Sequence, residues 1–354
     1  DILWFDGLGK TAADYDSVAV NRLARELQPQ ILINSRNGLP EDFGTPEQRV
    51  GKYQDDRPWE SCITLCRQWA WKPDDDMKSL KECLQTLVFC AGGDGNLLFN
   101  VGPMPDGRIE PRQVGRLREM GAWLARNGEG IYGTRGGPWK PTRSAASTRK
   151  GNTVFVHLLR TGADRIELPA LPRTVKSAAL LGGGAARFSQ QSGRLVLSVD
   201  PAALDPIDTI VRLELDGSAM DLPAVGVASE IKATASHSDR KRGDTHGAAQ
   251  AFDNDPGTWW TAGPGTKQAW IAADFGGPRT IQRVRIEEKG RSVARFEFQY
   301  RDGQAWKTIF SGTKLGWGFQ QKFDPVTAQE FRLSILDVDG TDGPAIADIE
   351  FIDQ

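Results

Sequence analysis

The sequence opens on DILWFDG, and Asp6 is the first residue in it whose type and position could do chemistry. Ile2, Leu3, Trp4 and Phe5 form an apolar run that reads as a strand buried on both faces; Asp6 stands where the run stops, and Gly7 turns the chain. In α/β proteins with parallel sheets, ligands gather at the carboxyl ends of the strands. Asp6 is therefore either a strand-ending turn residue, since Asp-Gly is a common turn signal, or a catalytic carboxylate. Other polar groups follow at comparable places. INSRNG sets Arg36 just past a second apolar run, DFGTPEQ puts Glu47 in the next loop, and WESCITLCRQWAW adds Glu60 and a row of aromatics. Two carboxylates on one rim suit glycoside hydrolysis, in which a retaining enzyme needs a nucleophile and an acid/base about 5–5.5 Å apart. Spacing alone does not bring Asp6 and Glu47 together.

The elements that must position these groups alternate between strand and helix up to about residue 135. DILWFD precedes a helix near 16–27 with Val20, Leu23, Ala24 and Leu27 at helical spacing. QILIN reads as a second buried strand, and a long loop with Gly38, Pro40, Gly44 and Pro46 comes next. ESCITLC suggests a third strand, Met77, Leu80, Leu84, Leu87 and Val88 a helix, NLLFNVG a strand, and Val114, Leu117, Met120 and Leu124 a helix opened by Pro111. That is roughly half of a (β/α)8 barrel, with open strand edges. The chain starts inside a strand with no initiator Met or signal peptide, so we expect it to be a trimmed chain.

Beyond residue 140 the runs NTVFVHLL, RIELPA, SAALLG, RLVLSV and TIVRLEL alternate with Gly and Pro turns, as in a small β-sandwich. DGSAMDLPAV, 216–225, reads as a linker. A further all-β segment then holds five of the eleven tryptophans, Trp259, Trp260, Trp270, Trp306 and Trp317. The expected fold class is multidomain α/β plus all-β: a partial (β/α)8 barrel over 1–138, a β-sandwich over 139–216 and a second β-sandwich over 224–354.

With 354 residues and a net charge of -2, nothing points to nucleic acid or an anionic membrane as partner, and no apolar stretch is long enough to span a bilayer. Cys62, Cys66, Cys83 and Cys90 lack a further Cys or His at metal-ligand spacing and read as buried free thiols. AGGDGN follows a helix and leads into a strand, the reverse of a phosphate cradle, and reads as a tight turn.

DILWFDG, INSRNG, DFGTPEQ, PWESCITLCRQWAW, KSLKECLQTLV, GGDGNLLFNVGPMPDGRI and GEGIYGTR, in this order, resemble the second half of the catalytic domain of glycoside hydrolase family 29 α-L-fucosidases. The resemblance spans about residues 1–140. It implies that Asp6 is the nucleophile and Glu47 the acid/base, with Glu60 as a rival because the family varies in this loop. It also implies substrate-binding roles for Trp4 beside the nucleophile, Arg36 near the sugar, and Trp69 against the apolar methyl of fucose. The family holds the sugar hydroxyls with histidines, a Glu-Trp pair and a Tyr from the first part of the barrel. Here the three histidines, His157, His237 and His246, all lie beyond the barrel segment.

AFDNDPGTWW, AWIAADFGGPRTIQRVRI and IADIEFID resemble the coagulation factor 5/8 type C (discoidin-like) fold of family 32 carbohydrate-binding modules. That resemblance implies a structural Ca²⁺ held by Asp253, Asp255, Thr258 and Glu350 with the Ala251 carbonyl, an all-oxygen set suited to a hard cation. Trp317, flanked by glycines, is either a stacking platform for sugar or a core residue. Together the resemblances imply a retaining exo-α-L-fucosidase acting on terminal α-L-fucose of glycans or glycoconjugates, without a catalytic cofactor, and secreted or periplasmic. The alternative is a non-catalytic glycan-binding protein with a relic half-barrel. A chain missing the first strands is expected to have little fucosidase activity by itself.

Overall fold

The computed structural model describes residues 1–354 except 8, 143, 160–163, 228–230, 240–245, 254–257, 291, 317 and 353–354. It divides into two compact units, Asp1–Val227 and Ala228–Gln354. In the first, β1 (Ile2–Leu3) pairs in parallel with β2 (Leu32–Ile33), and β3 (Glu60–Thr64) pairs in parallel with β4 (Asn96–Asn100). The stretch between β2 and β3, expected as a long loop, contains an extended segment instead. Parallel bridges Asn34↔Phe43, Gly44↔Trp59 and Glu47↔Cys62 carry the pairing from the end of β2 to β3. The reason is visible in the backbone: the Phe43, Pro46, Pro58 and Cys62 carbonyls all accept N–H groups across this segment.

Three helices accompany these strands: α1 (Ser17–Leu27), α2 (Leu80–Gly92) and α3 (Pro111–Asn127). Helix α2 starts on a capping box, in which the Ser79 hydroxyl accepts from the Glu82 N–H while the Glu82 carboxylate accepts from the Ser79 N–H. Helix α3 starts with Pro111, whose missing N–H costs nothing in the first turn. The expected burial of β1 on both faces and of the apolar stripe on α1 is not what the structure has. Ile2 is 54% exposed and Leu23 and Leu27 are 55% and 79% exposed. The buried side of α1 is polar: the Ser17 hydroxyl donates to the Asn37 carbonyl, and Asn21 bonds to both Glu41 and Asn37. Loop 37–41 offers those partners, and among the described residues no strand lies on the other edge of β1.

The rest of this unit is a sandwich of β5 (Arg135–Gly136), β6 (Ala145–Lys150), β7 (Thr153–Leu158), β8 (Arg165–Pro169), β9 (Val175–Leu180), β10 (Ala186–Gln191), β11 (Arg194–Val199) and β12 (Thr209–Leu215). One sheet runs β5-β6-β7-β12-β9 and the other β10-β11-β8. Val156, Leu195, Leu197, Val211 and Leu213 fill the space between them. Leu84, Val88, Met120 and Trp123 from the helices share another core with Ala146, Phe155 and Ile210 from the sandwich. This shared apolar surface explains why 1–227 is one compact unit. Residues 216–225 are no free linker either: Ala219 and Leu222 are buried in the sandwich core, and the Arg149 guanidinium donates to both their carbonyls.

The AGGDGN turn fastens the two parts. Asp94, in the left-handed region at φ +66°, accepts from Arg135 Nε at 2.8 Å and from the Gly136 N–H at 2.6 Å. Burial by itself would raise the Asp94 carboxyl, but the Arg135 and Gly136 hydrogen bonds outweigh it and hold the group below the ordinary range. All four cysteines are buried and free, and burial pushes the Cys83 and Cys90 thiols up to about 12.

The second unit comprises β13 (Lys232–Ala235), β14 (Trp260–Thr261), β15 (Ala269–Glu288), β16 (Val293–Asp302), β17 (Ala305–Gly312), β18 (Phe319–Val338) and β19 (Ala345–Ile352). Their order is β14-β19-β15-β18-β16-β17, with β13 on β15. The long strands β15 and β18 lose register between Asp274 and Arg279, at the FGGP sequence where Gly276 takes φ +69°. Such irregularities bend a sheet. The core contains Trp260, Ile271, Phe296, Phe298, Phe331, Leu333 and Ile346. The architecture is consistent with a discoidin-like β-sandwich.

Candidate active site and glycan-binding cleft

Arg36 organises the polar cluster of the first unit. It sits in a single helical turn after β2, Ser35–Asn37, and its side chain is only 5% exposed. Its Nε donates to the Thr45 hydroxyl at 2.8 Å, which fixes the guanidinium plane. From there Nη1 lies 2.7 Å from Glu47 Oε2 and 3.6 Å from Asp6 Oδ1. One nitrogen thus gathers both carboxylates, and the two oxygens are no more than about 6.3 Å apart. The Trp4 ring covers the guanidinium, with the Arg36 carbon 4.5 Å from its centroid. Trp4 Nε1 in turn donates to Glu60 Oε1 at 3.2 Å, which brings Glu60 into the same cluster.

The backbone around Asp6 is held by its neighbours. Phe5 and Asn34 exchange two hydrogen bonds of 2.9 Å, tying the end of β1 to the end of β2. The Tyr15 hydroxyl donates to the Asp6 carbonyl, and Asp6 Oδ1 accepts from the Gly7 N–H. The Asp6 side chain itself is 89% exposed, against 25% for Glu47. The carboxylate therefore projects from the strand end into solvent, with its approach open.

The second unit has a cleft of about 510 Å³ lined by Asp239, Trp259, Lys289, Asp339 and Asp342. Trp259 meets His246 edge-on at 4.2 Å between ring centroids, and Lys289 Nζ lies 4.7 Å from the Trp259 ring centre. The buried Glu288 shapes this rim by accepting the N–H groups of Ser292, Val293 and Gly316. Nothing in the local sequence singles out Glu288 or Lys289: they are neighbours in the chain, and the cleft residues around them, Asp239, Trp259, Asp339 and Asp342, are far from them in sequence.

Comparison with known proteins finds a likeness for both regions. Residues 1–129 match the family model for alpha-L-fucosidase. The second unit matches F5/8 type C domain over 232–349. The fucosidase-like segment is 35% identical to tissue alpha-L-fucosidase of Homo sapiens over 133 residues, 34% of this chain and 28% of that protein. It is 38% identical to an alpha-L-fucosidase of Branchiostoma floridae over 113 residues, 28% of this chain and 24% of that one. Among solved structures, alpha-L-fucosidase isoenzyme 1 from Paenibacillus thiaminolyticus is similar with a TM-score of 0.55 and 32% identity, over 61% of this chain and 58% of that chain. The chain spans about a quarter of the length of these two curated relatives, and the relatives and structural neighbours are glycoside hydrolases.

Within the fucosidase-like segment the structure gathers Trp4, Asp6, Arg36, Glu47 and Glu60. Trp69 lies apart from their hydrogen bonds and ion pairs: it follows β3, is 41% exposed, and its carbonyl accepts from Asn100. Thr45 and Asn34 belong to the framework of the cluster, and the sequence does not mark them, because a Thr in a loop and an Asn at a strand end carry no signal. Of the residues implied for Ca²⁺ in the second unit, Asp255 lies outside the described residues, and so does Trp317, weighed as a sugar platform. Thr258 Oγ1 donates to Asp253 Oδ2 at 2.8 Å, while Glu350 is half-buried with Arg285 4.0 Å away.

Proposed function

We propose that this protein is, or is part of, a retaining α-L-fucosidase that removes terminal α-L-fucose from glycans or glycoconjugates. The observation that carries the reading is the shared contact of Arg36 Nη1 with Asp6 and Glu47. It holds one oxygen of each carboxylate within about 6.3 Å of the other, which is compatible with the 5–5.5 Å of retaining pairs. We read the parallel array of β1, β2, residues 43–47, β3 and β4 as part of a (β/α)8 barrel, with Asp6 at the carboxyl end of its first strand.

On this reading Asp6 attacks the anomeric carbon while Glu47 gives its proton to the departing glycosidic oxygen, so the C–O bond breaks as the Asp6 ester forms. Glu47 then takes a proton from water, the hydroxide oxygen bonds to the anomeric carbon, and the Asp6 carboxylate leaves with net retention. Arg36 positions both groups and Trp4 closes over it. Glu47→Ala is expected to slow fucosides with poor leaving groups far more than activated aryl fucosides, since only the former need protonation. If Glu60→Ala shows that selectivity and Glu47→Ala does not, Glu60 is the acid. The relatives, named tissue and plasma fucosidases, favour a secreted or periplasmic setting, and no described helix is long and apolar enough to cross a membrane.

A second reading, a glycan-binding protein without turnover, draws on the histidines. His157 is sealed in the sandwich, where it pairs with Asp208 and takes no part in the Asp6–Glu47 cluster, and His237 and His246 belong to the second unit. The rate of this chain on an aryl α-L-fucoside, beside that of a form extended at its amino end, separates the two readings. In either, the cleft around Trp259 and Lys289 is proposed to bind glycan.

We also propose a structural Ca²⁺ held by Asp253, Asp255, Thr258, Glu350 and the Ala251 carbonyl. In support, Phe252 stacks on Phe351 with centroids 6.1 Å apart, which brings the segment bearing Ala251 and Asp253 against the strand that carries Glu350. The melting temperature of the protein is expected to fall in chelator and recover with added Ca²⁺, because a ligand of the folded state stabilises it by mass action. An unchanged melt, with no calcium found by elemental analysis, would leave Asp253 as a turn cap.

A further inference from the structure

The outer face of strands β16, β17 and β18 carries a polar and aromatic platform that neither the Asp6 cluster nor the Trp259 cleft uses. Trp306 on β17 lies opposite Arg301 of β16, and Gln299 lies opposite both Thr308 and Arg332. The Arg332 guanidinium carbon is 4.3 Å from the centre of the Trp306 ring, and that of Arg301 is 5.3 Å from it. Two cations therefore converge on one indole.

Their hydrogen bonds leave an unusual balance. Arg332 Nε donates to Gln299 Oε1, and Gln299 Nε2 donates to Glu297 Oε2, which also accepts from the Thr308 hydroxyl. Gln299 is buried, so this chain fixes the guanidinium in place. Glu297, the carboxylate in the best position to neutralise Arg332, is turned toward Thr308 and Gln299. Arg301 donates Nε to the Gly303 carbonyl, and Asp302 pairs with Lys307. Among the described residues neither arginine forms an ion pair. The terminal nitrogens of Arg332, a planar fork matched to carboxylate or sulfate oxygens, are held in orientation with no acceptor among the described residues. Burial and the nearby Arg301 both press against the charged form of Arg332. An anion between them would relieve that.

We propose that this sheet face binds an anionic saccharide, its carboxylate or sulfate held by Arg332 and Arg301 and its ring laid against Trp306. Oriented guanidinium nitrogens without acceptors select the charge, and the aromatic ring beside them selects a carbohydrate over a bare ion. The saccharide part rests on the glycan-binding reading of the second unit; the preference for charge rests on the arginines alone.

Calorimetric titration of the full chain with three oligosaccharides of equal length tests it: dextran sulfate, oligogalacturonate and uncharged dextran. One or both charged sugars are expected to bind at least tenfold more tightly than dextran, and the better of them identifies sulfate or carboxylate as the group recognised. Arg332→Gln is expected to weaken that binding at least tenfold with the melting temperature unchanged, and Arg332→Lys, which keeps the charge but not the fork, by several-fold. If Arg332→Gln does not fold, Arg301→Gln carries the same expectation. Equal binding of charged and uncharged sugars, no binding of the charged ones, or charge-dependent binding that survives both substitutions would overturn the proposal. The glycan-binding reading itself is checked separately, by titrating a neutral fucosylated oligosaccharide into a Trp259→Ala variant.

Discussion

Replacing Asp6 with glycine is expected to lower kcat on an aryl α-L-fucoside by about 10⁴-fold in any form of the protein that hydrolyses it, while external azide restores part of the rate. With Asp6 as the proposed nucleophile, no glycosyl-enzyme ester forms once its carboxylate is gone. A small anion fitting the vacated space can attack the same carbon and release a fucosyl azide of inverted configuration. The 89% exposure of Asp6 leaves that approach open, and Arg36, held by Thr45 and Glu47, stays in place when Asp6 is lost. A variant with wild-type turnover, or one whose loss azide does not relieve, would remove Asp6 from the nucleophile's role.

The largest expected effect on stability lies in the sandwich. His157 Nδ1 and Asp208 Oδ2 are 2.7 Å apart with both side chains fully buried, and the other ring nitrogen faces the Thr148 hydroxyl at 3.4 Å. Burial pushes the Asp208 carboxyl upward, opposed by the charge and hydrogen bond of His157. Asp208→Ala is expected to cost about 3–5 kcal/mol, because the imidazole would remain inside without its partner. The shift in denaturant midpoint at constant slope measures it. A cost under about 1 kcal/mol would mean that water or Asp205 replaces the lost acceptor. The pair was unreadable in sequence, since His157 and Asp208 are 51 residues apart and neither sits in a motif.

Local pattern and spacing determined much of the molecule. Pro111 opened a helix where the sequence said it would, the run with Leu80, Leu84 and Val88 became α2, and NLLFN became a strand because an apolar run between turn residues has few alternatives. Cys83 and Cys90 are buried thiols for the same reason that Leu84 and Val88 are core: they lie on the apolar face of α2. The motifs around Asp6, Arg36 and Glu47 place these residues after successive apolar runs, and residues after successive parallel strands share one end of a sheet.

Tertiary structure decided the rest. Periodicity states that α1 has an apolar stripe but not which face meets the protein; loop 37–41 supplied hydrogen-bond partners for Ser17 and Asn21, and an unmet polar group inside costs more than an exposed leucine. The 216–225 stretch looked like a linker because its apolar residues follow no period, yet Ala219 and Leu222 fill the sandwich core while Arg149 satisfies their carbonyls. Above all, the meeting of Asp6, Glu47 and Glu60 at Arg36 and Trp4, and of Arg301 and Arg332 at Trp306, comes from the pairing of strands distant in sequence. Spacing along a chain fixes which face a residue takes, and only register between chain segments fixes what it faces.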